Sequence, residues 1–230
     1  MLESMRKHMS WMMWLIVGLI TVTFLFFGIY PSHIGGETMA KVDGSVITSD
    51  EFNRVYRNMY ETYRQMLKDQ MNDNIARELK ARALNELISN RLLVQEAERL
   101  GMKVTDAELQ ASIMNMPVFA GEGTFNRKVY ERMLDRVNVT PAVFEANQRE
   151  FLLRQKLEQL VRDAVVVTET ELATTYQQQN PKAKPGDFIK NKQSFRQTYL
   201  SRKQSEAMTA YLRGIYSKTA VTINDKALAS

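Results

Sequence analysis

The chain has 230 residues, 44% of them hydrophobic and 25% charged, which is enough apolar material for a packed core and unlike a disordered composition. It has no cysteine and only two histidines, His8 and His33, so disulfide frameworks, thiol nucleophiles, cysteine-based metal sites and chemistry needing paired imidazoles in a folded domain are excluded. The net charge of +5 is unevenly placed: from Pro181 to Lys218 nine Lys/Arg stand against Asp187 and Glu206 alone, leaving the remainder net acidic.

In chain order, the first element is Trp11–Tyr30, twenty residues without a charge. That length spans a hydrocarbon core of ~30 Å as a helix. Trp11, Trp14 and Tyr30 lie near its ends, where amphipathic rings favour the interface, and Arg6 and Lys7 precede it, which predicts a cytoplasmic N-terminus. No small-residue cleavage pattern follows. The expectation is therefore a cytoplasmic tail over 1–10, an uncleaved transmembrane signal anchor over 11–30, a linker over 31–38, and an exported remainder facing a bacterial periplasm. Lipid bilayer is then one partner, and nucleic acid is not. The absence of cysteine fits an oxidising compartment without fixing it.

Met39–Ile47 alternates around Asp43-Gly44, a hairpin signal that predicts two very short strands. Thr48-Ser-Asp-Glu51 then reads as a capping box opening a helix. Phe52, Val55, Tyr56, Met59, Tyr60, Tyr63, Met66 and Leu67 give that helix one apolar stripe. A second helix is predicted from about Asn74 to Arg99, stopped by Gly101. Its buried side is read as Ile75, Leu79, Leu84, Leu87, Ile88, Leu92 and Ala97. Thr105–Glu108 is a second capping box, starting a short helix to Met114. Residues 116–124 read as a loop, 126–137 as a helix, and Thr140-Pro141 as the start of a long helix to about Asp163. That long helix is expected to bury Phe144, Phe151, Leu152, Leu157, Leu160 and Val161. Thr168–Glu171 is a third capping box, opening a helix that ends near Asn180.

Residues 181–187 then look like a joint. A last helix follows, carrying Phe188, Phe195, Tyr199, Met208, Tyr211, Leu212 and Ile215, and after it a strand over 219–224. An isolated strand leaves its backbone groups unpaired. Its strand-like partner is Lys41–Ile47, so the two ends of the exported part are expected to meet in a small sheet.

Phosphate-binding, zinc-protease and nucleophile-elbow motifs are absent, so no catalytic, cofactor or metal residues are assigned. Two features remain for function. The first is the Tyr/Met-rich stripe, Phe52, Tyr56, Met59, Tyr60 and Tyr63, since adaptable apolar side chains serve promiscuous binding surfaces and equally serve as plain core. The second is Met114, Met116, Val118 and Phe119 with Phe125, either an apolar edge for an unfolded chain or a plug between helices. Together they suggest a basic, partly apolar cleft on a membrane tether.

The stretches 40–52, 84–97, 100–109 and 114–126, with Tyr130 and Thr140–Phe144, resemble in order and spacing the SurA-like chaperones, and within them the membrane-anchored, PpiD-like members. The resemblance implies a mainly α fold: a transmembrane helix, a helical chaperone domain over 39–180, and a C-terminal helix and strand over 188–230 that pack back on it. It also implies that a parvulin prolyl isomerase belongs where the joint stands. Here Gln179 passes almost directly to Phe188, and no histidine lies beyond residue 33. The expectation is an ATP-independent, membrane-anchored periplasmic chaperone, not an enzyme. It would need no cofactor and would bind unfolded or newly translocated secreted and outer-membrane polypeptides. The alternative is a scaffold subunit docking on a translocon or a periplasmic protease. Clients and self-association into a homo-oligomer are left open.

Overall fold

The computed structural model describes residues 37–121 and 123–224. The expected tail, the Trp11–Tyr30 anchor and nearly all of the linker lie outside the described residues. Among the described residues no helix is long and apolar enough to cross a membrane.

β1 (Thr38–Val42) and β2 (Ser45–Thr48) form the hairpin read from Asp43-Gly44. Asp43 and Gly44 take φ of 46° and 81°, the paired left-handed residues of a two-residue hairpin turn. β5 (Val221–Ile223) adds antiparallel to the free edge of β1, giving the order β2-β1-β5 with Val42 opposite Val221 and Ala40 opposite Ile223. The Asp43 amide donates to the Ala220 carbonyl and the Asn224 amide to the Met39 carbonyl, each at 2.9 Å. The expected meeting of the two segments, 38–42 and 221–223, in one sheet is observed, and it covers the edge that β1 would otherwise expose.

α1 (Ser49–Leu67) starts at the predicted capping box. The Thr48 hydroxyl accepts from the Glu51 amide, and the Glu51 carboxylate accepts from the Thr48 amide. A turn over 68–70 reverses the chain into α2 (Asp73–Arg99), capped by Asn72, and Gly101 leaves α2 at φ 76°. The helices run antiparallel, since Arg91 reaches Glu51 at one end and Arg82 reaches Tyr63 at the other. α2 buries two opposite faces. Ala83, Leu84, Ile88 and Leu92 pack with Met39, Val42, Ile47 and Phe52, whereas Leu93, Val94 and Ala97 pack with Leu153 and Leu157 of α5 (Pro141–Asp163). The sequence reading included Leu84, Ile88, Leu92 and Ala97 but missed Ala83, Leu93 and Val94, because a single-stripe template has no place for a helix sandwiched between layers.

α3 (Asp106–Met114) leads through a turn at Pro117–Phe119 to a ribbon, β3 (Ala120–Gly121) and β4 (Thr124–Phe125), and then to α4 (Arg127–Arg136). This corrects the loop expected over 116–124: the ribbon closes with Ala120 opposite Phe125. Strands of two residues are too short to show an alternating pattern. In α5, Leu153 and Leu157 are buried while Phe151 and Leu160 are exposed, at 39% and 54%. The expected stripe was therefore wrong in phase at Phe151 and Leu160. Phe151 instead lies under the Arg154 guanidinium, 5.3 Å from its ring centre.

α6 (Glu169–Gln179) passes through residues 180–184 into α7 (Pro185–Tyr216). The joint is shorter than the 181–187 expected. Pro185 suits the first helical turn, and the Asp187 carboxylate accepts from the Lys184 amide at 2.8 Å, so the helix begins before Phe188. α7 joins the two halves of the fold. Phe188, Phe195 and Tyr199 pack on α6, with Tyr176 edge-on to Phe195 at 5.0 Å. Further along, Met208, Tyr211, Leu212 and Ile215 pack around the Leu157 cluster. Part of the basic stretch is paired: Lys192 and Arg196 each reach Glu169 at 2.8 Å, and Lys203 reaches Glu171 at 3.2 Å. The Thr168 hydroxyl accepts from the Glu171 amide as predicted, and the Glu171 carboxylate also accepts from the Tyr199 hydroxyl across to α7.

At the start of α3, Lys156 Nζ lies 2.6 Å from the Glu108 carboxylate, which also accepts from the Thr105 amide and hydroxyl. These donors, Lys156 foremost, lower the Glu108 pKa to about 2. A folded pKa below the unfolded value of ~4.3 contributes stability above the latter, lost as pH falls towards 2. Thermal melts of Glu108→Gln against the parent are expected to lose that segment of acid destabilisation between about pH 4.5 and 2, with the difference shrinking in high salt. Thr105→Ala is expected to cost about 1 kcal/mol, a Tm drop of roughly 2–4 °C.

Candidate polypeptide-binding groove

Three helical faces converge on one open groove of about 480 Å³. α3 contributes Asp106, Leu109, Gln110, Ile113 and Met114, spaced as one helix face. α4 contributes Arg127, Tyr130 and Glu131, and α5 contributes Pro141, Glu145 and Arg149 at successive turns. Phe125 of β4 completes the wall.

Beneath the groove lies an aromatic cluster. Phe119 is edge-on to Tyr130 at 5.0 Å and to Phe144 at 5.4 Å, and Tyr130 meets Phe144 at 5.8 Å and Phe125 at 6.0 Å. Leu109, Ile113 and Leu134 fill the space around these rings. Polar bonds hold the walls together. Gln148, buried, donates to the Ser112 hydroxyl at 2.8 Å; Arg149 donates to the Val104 carbonyl at 3.0 Å and pairs with Asp106. Burial, and secondarily the Glu145 charge, raise the pKa of the Tyr130 hydroxyl, so it remains a neutral phenol at neutral pH.

The groove rim carries three carboxylates, Asp106, Glu131 and Glu145, against two guanidiniums, Arg127 and Arg149. The basic cleft expected from the sequence is therefore corrected here: this groove is net acidic, because the cations cluster on α7 instead.

Two other hollows are more polar. One of about 200 Å³ lies between α2 and α5, where Arg91 bridges Glu51 and Glu150. Another of about 570 Å³ lies where the β-hairpin turn, α2 and α7 meet, lined by Asp43, Glu96, Arg99, Tyr211 and Lys218. Among the described residues no group of carboxylates and histidines is arranged to hold a metal ion.

The predicted contact residues separate into three groups. Phe52 and Phe119 are core, each 4% exposed, and this corrects their assignment as contact residues: Phe52 is stacked on Tyr56 beneath the sheet, and Phe119 is the centre of the aromatic cluster. Tyr56 and Met59 are half-buried against the α1–α2–sheet core, as Met116 is against the aromatic cluster. Tyr60 and Tyr63 are half-buried, Tyr60 tilted on Tyr56 and Tyr63 hydrogen-bonded to Arg82. Met114 and Val118 are exposed, at 48% and 51%, and Met114 lines the groove. The sequence reading missed Leu109, Ile113, Tyr130 and Glu145. The signal was present in the three helical spacings, 106/109/110/113/114, 127/130/131 and 141/145/149, but their convergence is tertiary.

The family model for the SurA-like N-terminal domain matches residues 1–158. The chain is 28% identical over 165 residues to the protein named "Periplasmic chaperone PpiD" of Escherichia coli (strain K12), covering 68% of this chain and 26% of that protein. Its counterpart in Haemophilus ducreyi is 24% identical over 189 residues, covering 78% and 30%. The "Foldase protein PrsA" of Caldanaerobacter subterraneus is 27% identical over 151 residues, covering 62% and 43%. The chain thus spans about a quarter to a third of the length of these PpiD proteins. Among solved structures, a chain from work on PEB4 and Cj1289, two SurA-like chaperones of Campylobacter jejuni, shares the fold with a TM-score of 0.50 at 13% identity, covering 81% of this chain and 98% of that one. The expected likeness to PpiD-like proteins and the helical fold with its small sheet agree with these matches, and the chain belongs to the family of the SurA-like N-terminal domain.

Proposed function

We propose that this chain is a membrane-anchored periplasmic chaperone that holds unfolded or newly translocated polypeptides without ATP, gripping them at the α3–α4–α5 groove. The observation that carries the reading is an apolar-floored, open groove built on a rigid aromatic cluster, with Met114 exposed at its edge. A floor of aliphatic and aromatic side chains accepts many apolar segments by area burial alone, without demanding one sequence. Family membership and the names of the relatives support a chaperone role. The direct passage from α6 to α7 across residues 180–184 supports a chaperone without an inserted isomerase domain. The uncharged stretch 11–30 supports the anchor.

The test uses the full chain in lipid nanodiscs and a chemically unfolded secreted protein diluted from denaturant. Light scattering is expected to fall as the chain approaches an equimolar ratio, with empty nanodiscs inert. No suppression at several-fold excess overturns the holdase reading and favours a scaffold on a membrane complex. Acceleration of a proline-limited refolding step overturns the proposed lack of isomerase activity.

A further inference from the structure

The groove floor contains an unsatisfied polar atom. Tyr130 is 8% exposed, and its hydroxyl oxygen is buried with no hydrogen-bond partner. Buried polar groups are nearly always partnered, so such an atom calls for an explanation. The ring itself is fixed by Phe119, Phe125 and Phe144, which leaves the hydroxyl little freedom to find a partner elsewhere.

The rim contains an unpaired charge. Arg127 is paired with Glu131 at 2.8 Å and Arg149 with Asp106, so both rim cations are engaged. Glu145 is not: among the described residues it has no ion-pair or hydrogen-bond partner, although it lies near enough to Tyr130 to act on its hydroxyl. An apolar floor therefore carries an unpartnered hydroxyl and an adjacent unpaired carboxylate. In a chain of net charge +5, this groove is locally acidic.

We propose that the groove selects client segments in which an apolar side chain stands next to a lysine or arginine, the apolar group on Leu109, Ile113 and the Tyr130 ring and the cation on Glu145. This rests on the polypeptide-holding reading above and adds a charge rule to it. Apolar burial supplies the attraction, and the charge decides which apolar segments are preferred. A segment flanked by carboxylates meets Glu145 as a like charge and is disfavoured.

The test uses the full chain in nanodiscs and two dansyl-labelled ten-residue peptides with the same central Leu-Phe pair, one flanked by lysines and the other by glutamates. Fluorescence anisotropy is expected to show the lysine peptide binding about 5–10-fold tighter at low salt, with the ratio shrinking at ~1 M salt. Glu145→Gln is expected to bring the ratio within about twofold, because it removes the rim's one unpaired charge. Tyr130→Phe, which keeps the ring, is expected to leave both affinities and their ratio within about twofold, because the covered hydroxyl does not reach the peptide. Glu145→Gln should melt with the parent, since the carboxylate has no partner to lose, and Tyr130→Phe should melt no lower, since it keeps the ring contacts and removes a buried unsatisfied hydroxyl.

Equal binding of the two peptides, or a lysine preference that survives Glu145→Gln, overturns the inference and leaves the holdase reading standing. Absence of binding by either peptide also overturns it, and the light-scattering result then decides the holdase reading separately.

Discussion

Leu157→Ala is expected to lower the stability of the domain by about 3–4 kcal/mol, a Tm drop of roughly 6–16 °C at the scale of a domain this size. Leu157 is fully buried and touches the layers that hold the fold together: Leu93, Val94 and Ala97 of α2, Leu153 of α5, and Met208, Tyr211 and Leu212 of α7. Removing its three terminal carbons leaves a void that these helices cannot fill without sliding past one another, and the surroundings of a rigid core relax only partly. The effect should be felt at a distance. α7 delivers β5 to the sheet, so loosening α7 weakens the pairing of Val221–Ile223 with β1. Hydrogen exchange at Asp43 and Asn224, whose amides bond across that pairing, is expected to rise together with the loss of global stability. Leu160→Ala is the control: the side chain is 54% exposed, and its truncation is expected to change stability by no more than about 0.5 kcal/mol.

Phe119→Ala is expected to cost about 3 kcal/mol and to abolish client holding together with it. Phe119 is 4% exposed and edge-on to both Tyr130 and Phe144, so it props the groove floor from beneath. Such aromatic pairs are worth about 0.5–1.5 kcal/mol beyond area burial, and two are lost at once. The aromatic cluster is distinct from the α1–α2–sheet core, so the damage should appear first as local opening of α3 and α4. Hydrogen exchange that accelerates across 106–136 while β1 stays protected is the expected pattern. Val118→Asp, one residue away but 51% exposed, is expected to leave the melt unchanged, which separates the buried prop from its exposed neighbour.

These two substitutions show how far the sequence could be read. Thr48, Thr105 and Asp43-Gly44 act through bonds to their immediate neighbours, so their roles as caps and turn were legible from local spacing alone. The pairing of β5 with β1 followed from backbone accounting, because a lone strand needs a partner. The phase of α5 was not legible. Phe151 and Leu160 look as apolar as Leu153 and Leu157, and only the position of α7 and α2 decides which pair is covered. The α1 stripe was legible as a stripe, yet its spacing could not reveal where α2 and the sheet stop covering it: Phe52 is buried, whereas Met66, near the far end, is 71% exposed. The stretch carrying Met114, Met116, Val118 and Phe119 was legible only as edge or plug: Val118 is exposed, while the turn at 117–119 rotates the Phe119 ring inward. The groove itself needed three helices brought together, and no single segment announces it.

The most direct test of client holding at the groove is site-specific photocrosslinking. A benzophenone side chain would replace Met114 at the groove, Tyr63 on the α1 stripe, or Ile189 on the exposed start of α7, in the full chain in nanodiscs with an unfolded client. The account predicts strong client adducts from position 114, competed away by an excess of the lysine-flanked peptide, weaker adducts from position 63, and background from position 189. Adducts from 189 or 63 that equal or exceed those from 114, or adducts from 114 that the peptide does not compete, would contradict it.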